Sequence, residues 1–84
     1  MTNKEILKKQ IIYRSTHRGT KEMDILLGKF VKKHITKLNI EDLKNLNEIM
    51  ELDDELLSQW YFDKTVVKKT LDNKISKKLK KFKP

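Results

Sequence analysis

The scarcity of helix-breaking residues is the feature that most constrains this chain. Its 84 residues include one proline, at position 84, and two glycines, Gly19 and Gly28. Apolar residues recur at intervals of three and four, the period of a helix, and no segment alternates as a strand does. The clearest apolar stripe consists of Met23, Leu26, Leu27, Phe30, Val31 and Ile35. The pattern predicts an all-α protein, and Gly28 inside that stripe predicts a close helix contact.

Polar residues suited to helix N-caps divide the chain into five helices. Thr2, Asn39 and Thr65 each precede an apolar helical repeat, and Asp53 or Asp54 can cap a helix between the last two. We therefore predict a small five-helix bundle. Its second and third helices are expected to form an antiparallel pair that supplies most of the core. The fifth helix would carry Val67, Leu71, Ile75 and Leu79.

The size of the chain and its lack of cysteine disfavour several classes of protein. A fold of this size buries only about 60 to 65% of the surface of its unfolded chain, which leaves no room for a deep substrate cavity. Without cysteine there is no disulfide, thiolate metal site or thiol nucleophile. No thiol nucleophile is available to pair with either of the two histidines, His17 and His34. We predict no catalytic residue, no metal site and no enzyme activity.

The hydropathy of the chain predicts its location. No apolar run approaches the roughly 20 residues of a membrane span. Residues 1–10 also lack the apolar stretch of a signal peptide. We therefore expect no membrane span and a location in the bacterial cytoplasm.

Charge is distributed unevenly along a chain whose net charge is +8. The net charge is +7 in residues 1–37, −7 in residues 38–63 and +8 in residues 64–84. We expect one domain over the whole chain, with the bundle ending at about residue 76 and a fraying, lysine-rich tail after it. Clustered lysines allow a second interpretation, a small basic helical module that binds nucleic acid or acts as an antitoxin-like regulator. A solvated tail is favoured over nucleic-acid binding because aromatic residues are nearly absent from it.

The two arginines are the most informative polar residues. Eighteen of the 20 basic residues are lysines, whereas Arg14 and Arg18 lie close together beside Gly19. Arginine supplies a planar, bidentate donor that lysine cannot imitate, and glycine allows a close backbone approach. Glu22 follows Arg18 by four residues, so the two side chains either pair on one helix face or form a recognition patch. Spacing alone leaves both alternatives open.

The segment around the arginines resembles the succinate dehydrogenase flavinylation and assembly factor family, whose hallmark is an Arg-Gly-x-x-Glu motif. Arg18, Gly19 and Glu22 match that motif, and His17 stands where members often have a second arginine. The similarity covers roughly residues 10–62. It continues in Leu26, Leu27 and Phe30, and in the Asp53-Asp54 turn that precedes Leu56 and Trp60.

The resemblance implies a helical bundle that binds the flavoprotein subunit of succinate dehydrogenase, with that of fumarate reductase as a further client. It implies that the bundle promotes covalent attachment of FAD to a histidine of the client and holds no cofactor stably itself. The implied partner-binding residues are Arg18, Gly19 and Glu22, to which we add their neighbours Arg14 and Asp24. Arg18→Ala or Glu22→Ala is expected to keep the fold and lose flavinylation.

An aromatic cluster supplies further candidates for the partner interface. Trp60, Tyr61 and Phe62 are consecutive, and tryptophan and tyrosine are enriched in interface hot spots. Core packing is the favoured role for Trp60, since a tryptophan buries a large apolar area. Tyr61 and Phe62 are therefore the possible interface aromatics.

Overall fold

Five α-helices make up the computed structural model of the chain, which describes residues 2–63 and 69–84 except the side chains of residues 63 and 69. No strand occurs in these residues, so the all-α prediction is confirmed. No helix among them is both long and apolar enough to cross a membrane. The helices are α1 (Asn3–Thr16), α2 (Lys21–His34), α3 (Ile40–Met50), α4 (Asp54–Asp63) and α5 (Lys74–Lys81), and single 3-10 turns occur at Ile35–Lys37 and Lys69–Leu71.

Side-chain caps start three of the helices where the sequence places them. Each cap satisfies a backbone N–H that has no partner within its helix. Of the two candidates for α4, Asp53 is the cap, which leaves Asp54 available for other contacts. The hydrogen bonds run from Glu5 N–H to Thr2 Oγ1 (3.2 Å), from Asp42 N–H to Asn39 Oδ1 (2.8 Å) and from Leu56 N–H to Asp53 Oδ1 (2.8 Å).

The core draws most heavily on α2 and α3, but these helices are not the closest pair. The backbone of α1 packs against both α2 and α3, so the predicted antiparallel pairing of α2 with α3 is wrong, whereas their predicted share in the core is confirmed. α1 approaches closely because its buried face is narrow, with Ile11 and the small Ser15 fully covered. The buried side chains are Met23, Leu26, Leu27, Phe30 and Val31 on α2, and Leu43, Leu46, Ile49 and Met50 on α3.

The fifth helix begins later than the sequence suggests. Asn73 caps α5 by accepting from Ser76 N–H (2.8 Å), while Ser76 Oγ accepts from Asn73 N–H (3.0 Å). This reciprocal pair fixes the start of the helix at Lys74. Leu71 lies in the preceding 3-10 turn instead of the helix. The predicted cap Thr65 and the predicted core residue Val67 lie outside the described residues.

The lysine-rich end is part of the bundle, so the prediction of a fraying tail is wrong. α5 extends to Lys81, and Leu79 within it is fully buried. Beyond the helix, the Phe82 ring packs edge-on against the Phe30 ring, with centroids 5.4 Å apart. The Tyr61 hydroxyl donates a hydrogen bond to the Phe82 carbonyl oxygen. Apolar residues spaced through the lysines therefore anchor this segment.

Replacing Gly28 by alanine is expected to stabilise the bundle. A Cβ at this position would lie 3.8 Å from the Ser15 carbonyl oxygen and 4.0 Å from Thr16 Cγ2, which are ordinary contact distances. Glycine inside a helix costs about 0.5–1 kcal/mol relative to alanine. We expect Gly28→Ala to raise the free energy of unfolding by about this amount in urea denaturation. A decrease would show that α1 and α2 need a closer approach than these distances indicate.

Candidate partner-binding site

The Arg18 side chain lies inside the bundle, in the link between α1 and α2. It is 8% exposed and faces the C-terminal end of α3. Its Nη1 donates to the Met50 carbonyl oxygen (2.7 Å), and its Nη2 donates to the Leu52 carbonyl oxygen (2.6 Å). Carbonyl groups at a helix C-terminus lack partners within the helix and attract positive charge. Arg18 therefore supplies hydrogen-bond donors to carbonyl groups at the C-terminal end of α3, although it lies more than 30 residues away in the sequence.

Asp54 completes this arrangement from the first turn of α4. Its Oδ1 accepts from Arg18 Nε at 2.7 Å, and the Asp54 side chain is 12% exposed. Its Oδ2 accepts from the backbone N–H groups of Gly19 (2.5 Å) and Thr20 (3.0 Å). The Arg18–Asp54 ion pair thus joins the α1–α2 link to the ends of both α3 and α4. Each ionised group has several hydrogen-bond partners, the condition under which a nearly buried pair is tolerated.

The backbone of Gly19 approaches Asp54 closely. A Cβ at position 19 would lie 3.1 Å from Asp54 Oδ2, tighter than about nine in ten real contacts of that kind, so this carboxylate would have to shift by a few tenths of an ångström. The same oxygen accepts the Gly19 N–H, so the shift would alter that hydrogen bond as well. This is the close approach that the sequence predicts at Gly19, although the approaching group belongs to the chain itself.

The remainder of the link is held by residues at the start of α2. Asp24 Oδ1 accepts from the Arg18 backbone N–H (2.7 Å). Thr20 Oγ1 caps α2 by accepting from Met23 N–H (3.3 Å). Specific hydrogen bonds therefore fix a backbone N–H or a side chain of each residue in the link, namely Arg18, Gly19 and Thr20. The link is a rigid connection that sets where α2 begins.

The predicted partner-binding residues fall into two groups. Contacts within the bundle hold the first group, which consists of Arg14, Arg18, Gly19 and Asp24, and the second is the exposed Glu22. Arg18 and Glu22 do not share a helix face, because α2 begins at Lys21 and Arg18 precedes it. The ion partner of Arg18 is Asp54, so the helical Arg18–Glu22 pair considered from spacing is wrong. Glu22 is exposed on the first turn of α2. Arg14 is 37% exposed, and its Nη1 donates to Asn47 Oδ1 (2.8 Å) and Glu51 Oε1 (3.2 Å) of α3.

Glu22 belongs to an exposed surface formed by α2, α4 and the C-terminal residues. Two adjacent shallow grooves meet there, and both are lined by Glu22 and Phe62. Phe62 is 64% exposed and Ile25 is 40% exposed, which leaves unusual apolar area on a small highly charged protein. We call this the Glu22–Phe62 surface, and it comprises Glu22, Ile25, Glu55, Gln59, Phe62 and Lys83.

The aromatic cluster has divided roles in the structure. Trp60 is a core residue, 5% exposed, as the sequence predicts. Tyr61 is partly buried and uses its hydroxyl to hold the Phe82 backbone, so it positions the C-terminal segment beside the surface. Phe62 is the aromatic ring presented to solvent. A role for Tyr61 and Phe62 in partner binding stays a prediction.

Sequence reasoning missed three contributors to this region. The sequence identifies Asp54 as an alternative cap and as part of the acidic turn but not as the partner of Arg18, because nothing in the local sequence shows that a residue 36 positions away donates to it. Ile25 lies on α2 but is not part of its apolar stripe. This position could have identified Ile25 as exposed from the sequence alone. Lys83 was assigned to a tail, although the regular spacing of Leu79 and Phe82 indicates that the tail is anchored.

The two histidines line neither groove of the Glu22–Phe62 surface. His17 is exposed and stacks on Tyr13, with ring centroids 3.9 Å apart. His34 lies against Phe30 at a centroid distance of 4.6 Å and against Phe82 at 6.1 Å. Among residues 2–63 and 69–84, no group of three or more His, Asp or Glu side chains is arranged to hold a metal ion.

The surroundings of His34 make the stability of the bundle depend on pH. Burial, followed by the charges of Lys33, Lys78 and Lys37, lowers the pKa of His34. The folded state then binds fewer protons than the unfolded state, whose histidine pKa is about 6.5. The stability attributable to neutral His34 is present above that pKa and is lost as the pH falls towards the folded-state pKa.

We therefore expect the free energy of unfolding to fall between pH 7.5 and 5.5 and to fall less in His34→Gln. Urea denaturation at the two pH values measures the difference. His17→Gln is the matched control, because it removes the exposed histidine and should keep the wild-type dependence. Equal pH dependence in wild type and His34→Gln would contradict the assignment.

Comparison with known proteins places the chain in a family. A family model described as flavinator of succinate dehydrogenase, Sdh5, matches residues 9–83. The chain therefore belongs to the Sdh5 family, and the family resemblance seen in the sequence is confirmed.

Individual relatives agree with this assignment. The FAD assembly factor SdhE of Acetobacter pasteurianus is 36% identical over 55 residues, which cover 66% of this chain and 50% of the relative. The mitochondrial succinate dehydrogenase assembly factor 2 of Dictyostelium discoideum is 32% identical over 73 residues, covering 87% of this chain and 52% of the relative. The chain thus spans about half the length of these relatives. No solved structure matches it.

Proposed function

We propose that this chain is an assembly factor that binds the flavoprotein subunit of succinate dehydrogenase and promotes covalent attachment of FAD to it. The observation that carries the proposal is the geometry of the Arg-Gly-x-x-Glu segment in a member of the Sdh5 family. Arg18 and Gly19 fix the link from within, and Glu22 is presented on the exposed turn that follows. Exposed Phe62 and Ile25 provide apolar contact area beside the carboxylate.

The Glu22–Phe62 surface suits a protein partner more than a free flavin. Its carboxylates, Glu22 and Glu55, would repel the diphosphate of FAD. An exposed aromatic ring beside a directional charge is instead typical of a protein interface. We therefore propose that FAD is held by the client and that this chain contributes no catalytic group. A rigid bundle can promote the reaction by holding the flavoprotein with its histidine and flavin aligned.

Covalent flavin in the client tests the proposal. Succinate dehydrogenase flavoprotein is matured with and without this chain, denatured and examined by in-gel flavin fluorescence, because only covalent flavin survives denaturation. We expect strong fluorescence only when the chain is present. Equal fluorescence without it would overturn the proposal. Fumarate reductase flavoprotein in the same assay tests the second predicted client.

The lysine-rich segment gives no separate support for nucleic-acid binding. Family membership does not favour that function. Leu79 and Phe82 also fix the segment to the core, so its lysines lie on the exposed side of a short helix and not in a free tail. The bacterial cytoplasm remains the proposed location, because a bacterial assembly factor is among the relatives.

A further inference from the structure

A second surface lies between α1 and α2, on the sides of these helices that α3 and α4 leave open. A narrow groove there is lined by Ile12, Thr16, Gly28, Val31, Lys32 and Ile35. We call it the α1–α2 groove. It shares no lining residue with the Glu22–Phe62 surface. Any role of the groove is therefore separable from that of the Glu22–Phe62 surface by mutation.

The hydroxyl groups beside the groove already donate hydrogen bonds within α1, so the surface that lines the groove is apolar. Thr16 Oγ1 donates to the Ile12 carbonyl oxygen (3.0 Å), and Ser15 Oγ donates to the same oxygen (2.9 Å). Thr16 Cγ2 points towards Gly28. Ile12 is 47% exposed at one wall. The groove thus presents methyl groups and no unsatisfied hydroxyl to an incoming side chain.

Gly28 forms the floor of the groove and is not required by the fold. Apart from Gly28, its two chain neighbours and the adjacent backbone of α2, the nearest atom of the described residues lies 3.8 Å from the position of its absent Cβ. A glycine inside α2 nevertheless weakens the helix relative to alanine. Such a glycine allows another backbone or a large side chain to approach the helix closely. The missing Cβ therefore leaves additional space in the groove for an incoming side chain.

The charges around the groove define the chemistry of that molecule. Residues 8–16 of α1 and residues 28–35, which reach from α2 into the following 3-10 turn, contain five lysines and no carboxylate, and Arg14 in the first stretch is paired with Glu51 of α3. Lys32 lines the groove, and Lys8 lies one turn before Ile12 on α1. A second copy docking by the same face would place these lysines against each other. Charge complementarity favours an acidic occupant.

We propose that the α1–α2 groove binds an amphipathic helix of a partner protein, with an apolar side chain over Gly28 and flanking carboxylates near Lys8 and Lys32. The concave shape, open between two helices, suits a helix lying along it with one apolar anchor. The lysines steer and orient the acidic helix, and the groove supplies the apolar contact.

A labelled synthetic helix tests the groove directly. The probe carries leucines at positions i, i+4 and i+7 with flanking glutamates, and its binding to the full chain is followed by fluorescence anisotropy. Gly28→Leu fills the groove without changing charge, and leucine is a good helix former. We expect Gly28→Leu and Lys32→Glu each to weaken binding at least tenfold. Circular dichroism verifies that both variants remain folded.

The controls separate a specific groove from general attraction to a basic protein. Glu22→Lys makes the chain more basic outside the groove, so it should leave groove binding within twofold. A scrambled probe of identical composition should bind at least tenfold more weakly. Equal binding of the scrambled probe, or unchanged binding to Gly28→Leu, would overturn the proposal. Vesicles of phosphatidylglycerol that bind in a Gly28-dependent manner, while the probe does not, would also overturn it in favour of a membrane surface.

Discussion

Arg18→Ala is expected to lower the free energy of unfolding by about 2–4 kcal/mol, a large part of the stability of a domain this small. The substitution leaves the Asp54 carboxylate nearly buried without its ion partner. It also leaves the carbonyl groups of Met50 and Leu52 without the donors they have in the wild type. Urea denaturation monitored by circular dichroism measures the change. The expectation from sequence, that Arg18→Ala keeps the fold, is therefore revised.

A double-mutant cycle shows whether this loss comes from the ion pair. Asp54→Ala should also destabilise, because it removes the acceptor of Arg18 Nε and of two backbone N–H groups. Combining the two substitutions should cost less than the sum, with a coupling free energy of about 1–3 kcal/mol. Arg14→Ala is the matched arginine control, since Arg14 is more exposed and should cost under about 1 kcal/mol. Strict additivity would contradict the ion pair.

Flavinylation by the same variants separates two roles for Arg18. If Arg18 acts through the fold, its loss of activity follows the folded fraction and is partly rescued by adding Gly28→Ala. If Arg18 instead contacts the flavoprotein, activity stays lost under conditions where Arg18→Ala is fully folded. The side chain's 8% exposure and its three side-chain hydrogen bonds favour the first outcome.

The parts of the fold that the sequence predicts are those governed by local chemistry. Thr2, Asn39 and Asp53 act within one turn of their own helices, so their capping roles follow from neighbouring residues. The stripe on α2 predicts its buried face for the same reason. Helix packing is different, because it depends on how the surfaces of separate helices fit. The sequence therefore predicts five helices but not that α1 lies against both α2 and α3.

The sequence predicts which residues belong to the candidate site but does not predict their roles. The unusual arginine pair and Gly19 correctly draw attention to the α1–α2 link, because their chemistry is rare in this lysine-rich chain. Whether a guanidinium faces solvent or the end of another helix depends on contacts 32–36 residues away. The exposed Glu22 and the buried Arg18 therefore look alike in sequence and differ in the folded chain.

Glu22→Lys is expected to reduce flavinylation at least tenfold while changing the free energy of unfolding by less than about 0.5 kcal/mol. Glu22 is exposed, so its reversal leaves the core and the Arg18–Asp54 ion pair unchanged. The change places a positive charge beside Phe62 and Ile25, where the proposed partner would otherwise meet a carboxylate. Covalent flavin is measured by in-gel fluorescence at limiting concentrations of the chain.

Glu48→Lys is the matched control for that experiment. Glu48 is an exposed glutamate on α3, outside the Glu22–Phe62 surface, and its reversal changes the net charge by the same amount. It should retain activity within about twofold of wild type, because rim charges away from a contact mainly alter encounter rates. Phe62→Ala supplies an uncharged second test, since removing an exposed ring should weaken the complex and leave the fold intact. Equal losses of flavinylation for Glu22→Lys and Glu48→Lys would mean that overall charge governs formation of the complex. A loss confined to Glu22→Lys and Phe62→Ala locates the client on the Glu22–Phe62 surface.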